Sequence, residues 1–158
     1  MSCFKWGMRS KLRMRTMHPD LRKVFDAFIE ITPRDVTILE VARSVSRQKQ
    51  LVESGASRTM NSRHIPINGV VYAADIGVLA GSRVVWTWDL YEEAAETMRD
   101  AAKLTGIPVR WGGCWEILNT LNDPIADEVR AYSARSKAAG VRPFLDGGHF
   151  ELPRSDYP

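Results

Sequence analysis

Apolar and polar positions repeat along this chain with two different periods, and the switches between them mark its elements. After His18-Pro19-Asp20, the residues Leu21, Val24, Phe25 and Phe28 recur at helical spacing. They predict an amphipathic helix that ends at Thr32-Pro33-Arg34-Asp35. Val36-Thr37-Ile38-Leu39-Glu40-Val41 is β-rich and predicts a strand. Ser44 or Ser46 caps a short helix that stops at Gly55. Asn68-Gly69 lies between two apolar runs, Ile65-Pro66-Ile67 and Val70-Val71-Tyr72. Asn-Gly in that setting predicts a hairpin, because a type I′ turn needs positive φ at both central residues. The longest helix opens at Trp88-Asp89-Leu90, with Asp89 as its N-cap and Gly106 as its stop. Its apolar stripe takes in Leu90, Ala94, Met98, Ala101 and Leu104. Pro108 to Trp111 reads as a short strand, and residues 116 to 140 as mostly helix, from Asp123-Pro124 to Gly140. The last strand runs through Asp146-Gly147-Gly148-His149-Phe150-Glu151-Leu152. Helices gathered early and late around short strands predict an α+β fold, with a small, mostly antiparallel sheet packed against helices.

Composition narrows the setting. A chain of 158 residues has the size of one domain, spanning 1–158. No run of eighteen apolar residues exists, so no membrane insertion is expected. The basic N-terminus, Met1 to Arg15, lacks the apolar core of a secretory signal. The two cysteines, Cys3 and Cys114, are too few for a disulfide framework or a four-cysteine zinc site and read as free thiols. A net charge of +3 favours an anionic partner. Without a dense Lys/Arg run interleaved with aromatics, nucleic acid is not expected, and an anionic cell wall remains open.

Candidate chemistry rests on three histidines. His18 stands at a helix entrance with no acid or histidine neighbour of metal-site spacing and reads as structural. His64 and His149 are left. If Ile67 and Val70 flank a two-residue turn, His64 faces Ala73, and Asp75 shares the face of Ala73. His64 and Asp75 then become diagonal neighbours, about 7 Å apart at Cβ. On the final strand, Phe150 and Leu152 turn to the core, and His149 and Glu151 turn the other way. Two imidazoles and one carboxylate on one open face, with water as a fourth ligand, is the arrangement of catalytic zinc. Such a site needs a base. Asp146, three residues before His149, is one candidate and Glu151 its rival. A strand entrance with an incidental histidine is the plainer alternative.

These residues carry a resemblance. Ser62-Arg63-His64, Ala73-Ala74-Asp75-Ile76, Trp111-Gly112-Gly113 and Asp146 to Leu152 together resemble the zinc peptidases of the D-Ala-D-Ala carboxypeptidase / VanY type. The nearer likeness is to their phage endolysin branch, the L-alanyl-D-glutamate peptidases, with their S-x-H, A-x-D and D-G-x-H-F-x-L motifs. Phe4 to Gly7, His18 to Leu21, Ile38 to Ser44 with Gln48, and Trp88 to Tyr91 extend it over nearly the whole chain. The resemblance implies Zn2+ held by His64, Asp75 and His149 on the open sheet face, with Asp146 as the catalytic acid and base. It puts Arg43, Gln48 and Ser62 on the substrate, Arg43 being suited to a carboxylate or an oxyanion.

Two departures stand out. The interval between His64 and Asp75 is longer than usual, and Val71 holds a place where a glycine is normal. The hairpin accounts for both as a lengthened turn. Cys114 stands where many relatives have an acid, and is read first as a bystander. Residues 116–140 form a longer helical insertion than compact members have.

The implied activity is hydrolysis of peptidoglycan stem peptides at the L-Ala-D-Glu bond. A monomer is expected, made in the host cytoplasm without a signal peptide and acting on the cell wall. A D-Ala-D-Ala carboxypeptidase or dipeptidase would use the same site on a different bond. A zinc-stabilised wall-binding module without turnover would have no use for Asp146.

Overall fold

A computed structural model describes residues 2–158. Its elements run α1 (Met8–Arg13), α2 (Pro19–Ile31), β1 (Val36–Glu40), α3 (Val45–Glu53), β2 (Ala73–Ala80), β3 (Arg83–Val85), α4 (Trp88–Thr105), β4 (Arg110–Trp111), β5 (Glu116–Ile117), α5 (Ile125–Ala138) and β6 (His149–Glu151). The strands form one sheet in the order β1-β2-β6-β4-β5, with β3 pairing the far half of β2. Every strand pairing is antiparallel. This is the α+β architecture that the sequence predicts. The final strand, β6, lies in the middle of the sheet, between β2 and β4.

One face of the sheet is the core. Leu21, Val24, Phe25 and Phe28 of α2 are fully buried, as are Ala74 and Ile76 of β2 and Phe150 of β6. Phe150 meets the Phe25 ring edge-on at 6.3 Å and stacks near Trp111 at 6.5 Å. Each of the larger of these buried side chains contributes on the order of 1.5–3 kcal/mol relative to exposure. Helix α4 packs against α2. Its buried stripe runs through Tyr91, Ala95, Met98 and Ala102, while Leu104 falls off it and stays 74% exposed. The helix starts two residues earlier than an Asp89 cap implies, so Thr87 is its N-cap and Asp89 sits in its first turn. There the carboxylate faces the positive end of the helix dipole. Ser44, rather than Ser46, caps α3 by accepting from the Arg47 N–H at 3.1 Å. Residues 116–140 hold β5 and a single 3-10 turn before the helix, which stops before Gly140 at φ 72°.

The turn at Asn68-Gly69 forms, with φ of 51° and 80°, and Ile67 and Val70 exchange both backbone hydrogen bonds. The hairpin ladder does not continue. Pro66 has no N–H, and the Ile65 N–H is taken by Ser62 O at 3.2 Å. Tyr72 N–H donates to Arg63 O instead of pairing with Ile65. His64 therefore lies on a turn and not on a strand opposite Ala73, whose partner is Glu151. Gly147 and Gly148 form the turn into β6, closed by the His149 N–H on Asp146 O at 3.2 Å, with neither glycine at positive φ. A Cβ on Gly148 would sit 2.7 Å from Ile76 O, and one on Gly147 2.9 Å from Tyr91 Cβ. Close approach of β6 to β2 and α4 demands these glycines.

Candidate metal centre

The β2–β6 register sets Asp75 directly opposite His149 and Ala73 opposite Glu151. Arg110 of β4 pairs with Glu151 from the other side. Because side chains alternate along a strand, Asp75, His149, Glu151 and Arg110 share the face away from α2 and α4. The small Ala73 leaves room among them. His64 reaches the same point from its turn. Its Nδ1–H donates to Val41 O at 2.8 Å, and its own carbonyl accepts from the Arg43 N–H at 2.9 Å. Ser62 Oγ accepts from the His64 N–H at 3.2 Å.

These partners determine which ring nitrogens face the site. A carbonyl can only accept, so His64 carries its proton on Nδ1 and offers the Nε2 lone pair. His149 Nε2–H donates to Glu151 Oε2 at 2.7 Å, which leaves Nδ1 to face Asp75. His64 Nε2 lies 3.1 Å from Asp75 Oδ1 and 3.2 Å from His149 Nδ1, and His149 Nδ1 lies 3.1 Å from the same oxygen. Three acceptor atoms thus form a nearly equilateral triangle. A proton can bridge only two of them, whereas a cation with three coordination positions satisfies all three. Zinc bonds of about 2.0–2.1 Å in tetrahedral geometry put ligand atoms ~3.3 Å apart, close to these separations. The supporting Val41 carbonyl and Glu151 carboxylate are the outer partners that metal-binding histidines use.

The electrostatics agree. Burial works against the charge on Asp75, yet His64 and His149 hold its pKa well below the usual carboxylate range. Burial favours a neutral His149, but hydrogen bonds to Asp75 and Glu151 outweigh it and raise the pKa to about 10. Glu151 is pushed up by burial, then brought down to about 2 by His149 and Arg110. Arg110 Nη1 donates to Glu151 Oε1 at 2.9 Å. Glu151 is therefore fully engaged in holding His149.

Asp146 differs. Its backbone is pinned by Gly112 O, which accepts from the Asp146 N–H at 2.9 Å, and by the His149 N–H, which donates to Asp146 O at 3.2 Å. A Cβ on Gly112 would sit 2.4 Å from that Asp146 oxygen, so only glycine permits the approach. No hydrogen bond engages the Asp146 carboxyl among the described residues. Burial raises its pKa, the Asp75 charge adds to this, and His149, His64 and Arg43 oppose it. The group lines a cavity of about 480 Å³ together with His64, Asp75 and His149.

Arg43 is more deeply committed than a residue reserved for substrate. It donates to Glu40 through Nε at 3.0 Å and Nη2 at 2.7 Å, to Gln48 Oε1 at 2.8 Å and to Asp75 Oδ2 at 3.2 Å. One N–H on Nη1 is left over. Gln48 is fully buried and donates to Ser57 Oγ and Thr59 O, so it holds Arg43 in place and does not reach the cavity. Ser62 lines the cavity. His18 caps α2, accepting from the Asp20 N–H at 3.1 Å through Nδ1. Cys114 is buried in the core and is not part of the His64–Asp75–His149 group.

Sequence reasoning missed Glu40, Arg110 and the aromatic wall of the cavity, Trp115, Tyr132 and Phe144. Glu40 shares a register position with Asp75 across β1 and β2, after an irregularity that no residue pattern marks. Trp115 has φ 58°, uncommon outside glycine, and its ring lies 5.5 Å from that of His149.

Known proteins resemble this chain in fold and sequence. The solved structure of the Serratia marcescens L-Ala D-Glu endopeptidase ChiX matches with a TM-score of 0.72 and 31% identity, covering 98% of this chain and 94% of that one. The L-alanyl-D-glutamate peptidase of Escherichia phage T5 is 27% identical over 153 residues, 94% of this chain and 98% of its own length. The family model described as phage L-alanyl-D-glutamate peptidase matches residues 1–153, and the chain belongs to that family.

Proposed function

We propose that this chain is a zinc-dependent peptidase that hydrolyses the L-alanyl–D-glutamate bond of peptidoglycan stem peptides. Residues 1–158 form one catalytic domain on this reading, and it acts as a monomer on the bacterial wall. The observation that carries it is the triangle of acceptor atoms from His64, Asp75 and His149, next to the uncommitted carboxyl of Asp146.

His64 Nε2, Asp75 Oδ1 and His149 Nδ1 would hold the metal. When bound, zinc supplies Lewis acidity, making water more acidic and polarising a carbonyl. Asp146 takes the proton from the attacking water on a carboxylate oxygen and returns it to the leaving amine nitrogen. Its raised pKa suits both halves of that transfer. Arg43 orients Asp75 and has one N–H left for the carbonyl oxygen as charge develops there. Ser62 lines the substrate's path and braces the His64 turn. Gln48 acts indirectly, through Arg43.

The test is digestion of purified peptidoglycan, with new termini read by mass spectrometry. New amino-terminal glutamate and about one zinc per chain are expected. Release of free D-alanine instead would assign the carboxypeptidase reaction. Asp146→Ala should keep its zinc and lose cleavage by ~10²–10⁴-fold. Cleavage that survives this change would remove Asp146 from the mechanism. Cleavage without zinc would sink the reading as a whole.

A further inference from the structure

Apart from Asp146, the carboxylates around the cavity are already matched, and two of its cations are not. Arg43 engages Glu40 and Asp75, and Arg110 engages Glu151. Arg63 is spent on the backbone carbonyls of Leu152 and Pro158. Arg58 and Arg154 also line the cavity, are exposed, and have no carboxylate partner among the described residues.

Neither side chain is loose. The Arg58 guanidinium lies over the Phe144 ring at 5.0 Å. Phe144 stacks on Trp115 at 6.1 Å and 16°, and Trp115 packs against His149. Trp115 Nε1–H donates to Phe144 O at 2.8 Å, which locks the two rings together. Arg154 lines the same cavity, and its Nη2 donates to Asn61 O at 3.0 Å and Asn61 Oδ1 at 2.9 Å. A guanidinium held by stacking or by a side-chain bond loses less entropy when it takes up a planar anion.

The family reaction places a glutamate on the amine side of the cut bond. A glutamate linked onward through one carboxyl keeps the other free as a carboxylate. We infer that Arg58 and Arg154 form a carboxylate-recognition subsite, which takes the acidic, amine-side part of the stem peptide and so determines which way the substrate lies. This inference rests on the peptidase reading above. A second cavity of about 400 Å³ also reaches Asp75 and Asp146. It has a single exposed cation of its own, Arg47, and the exposed Trp86, a flat apolar ring suited to the uncharged sugar-bearing side.

The experiment uses two synthetic stem peptides containing L-Ala-D-Glu, one with the free glutamate carboxylate and one with a carboxamide in its place. Wild type, Arg58→Gln, Arg154→Gln, the double variant and Arg47→Gln are compared. Wild type should favour the carboxylate peptide by on the order of ten-fold in kcat/KM, most of it in KM. The double variant should lose that preference, with kcat on the carboxamide peptide unchanged within about two-fold. Arg47→Gln should keep it. Cleavage of both peptides without preference would overturn the subsite and leave the peptidase reading standing. So would a preference that survives in the double variant or disappears only in Arg47→Gln. Failure of wild type to cut either peptide would overturn both.

Discussion

His149 and His64 bring different ring nitrogens, Nδ1 and Nε2, to one point from opposite kinds of support. His149 sits on a central strand, where the register against β2 puts it beside Asp75 automatically. Its outer partner is a side chain, Glu151, on the same strand. His64 sits on a turn without ladder pairing, and its outer partner is a backbone carbonyl, that of Val41. A ligand on a strand is positioned by periodicity, whereas a ligand on a turn is positioned by the contacts that pin the turn. Mutation can therefore reach the support of His149 directly, but the support of His64 only through its surroundings.

The bluntest way to test that comparison is to remove each ring. His149→Ala and His64→Ala should both abolish zinc retention through dialysis, read by elemental analysis. Each loss should exceed the ~10–100-fold that removing an outer partner costs. If one variant kept its zinc, the two would not be equivalent ligands.

The supports should then differ. Glu151→Gln should weaken zinc binding by ~10–100-fold, measured by competition with a chelator. Val41→Ala keeps the carbonyl and should leave zinc affinity nearly unchanged, while the lost core packing costs about 1–3 kcal/mol of stability in denaturant melts. Equal effects on zinc would erase the distinction between the two supports.

The glycines sharpen it further. Gly148→Ala drives a Cβ against Ile76 O and should destabilise the protein by ~1–3 kcal/mol, loosening the Asp75–His149 pairing with it. Gly69→Ala meets open space and costs about 1 kcal/mol, through its positive φ alone. Zinc affinity should fall in the first variant and hold in the second.

The smallest effect is protonic. The metal-free His149 pKa of about 10 lies above its ordinary 6.5, so the ring carries a proton at neutral pH. That contribution to metal-free stability is complete below 6.5 and is lost as pH rises through about 10. Zinc must displace the proton, so binding at pH 7 should release about one proton and tighten as pH rises. Calorimetry in buffers of different ionisation enthalpy reads that number, and zero release would contradict the shift.

Much of this site was legible because β periodicity is short and rigid. The alternation of His149 and Glu151 with Phe150 and Leu152 assigns both polar residues to one face. The closeness of His64 to Asp75 was also anticipated, but by the wrong route. The Asn68-Gly69 turn forms, and Pro66 then breaks the ladder on which the expected pairing with Ala73 depended. The two residues meet because the Arg43 N–H, the Val41 carbonyl and the Leu152 carbonyl, which accepts from the Arg63 side chain, hold the turn from segments distant in sequence. Glu151, a rival base on spacing alone, is excluded from that role by its bonds to His149 and Arg110.

The sequence by itself determined the type of the longer helices and of β1, β4 and β6, the polar face of β6, the turn at Asn68-Gly69 and the residue types capable of holding a metal. Each of these follows from local sterics or from a period of two or 3.6 residues. Tertiary structure alone decided which nitrogen of each histidine faces the centre, that Arg43 is bound to Glu40 and Asp75, and that Arg58 and Arg154 remain without carboxylate partners. Those outcomes depend on atoms brought together from far along the chain, and no local pattern encodes where a long side chain will find its partner.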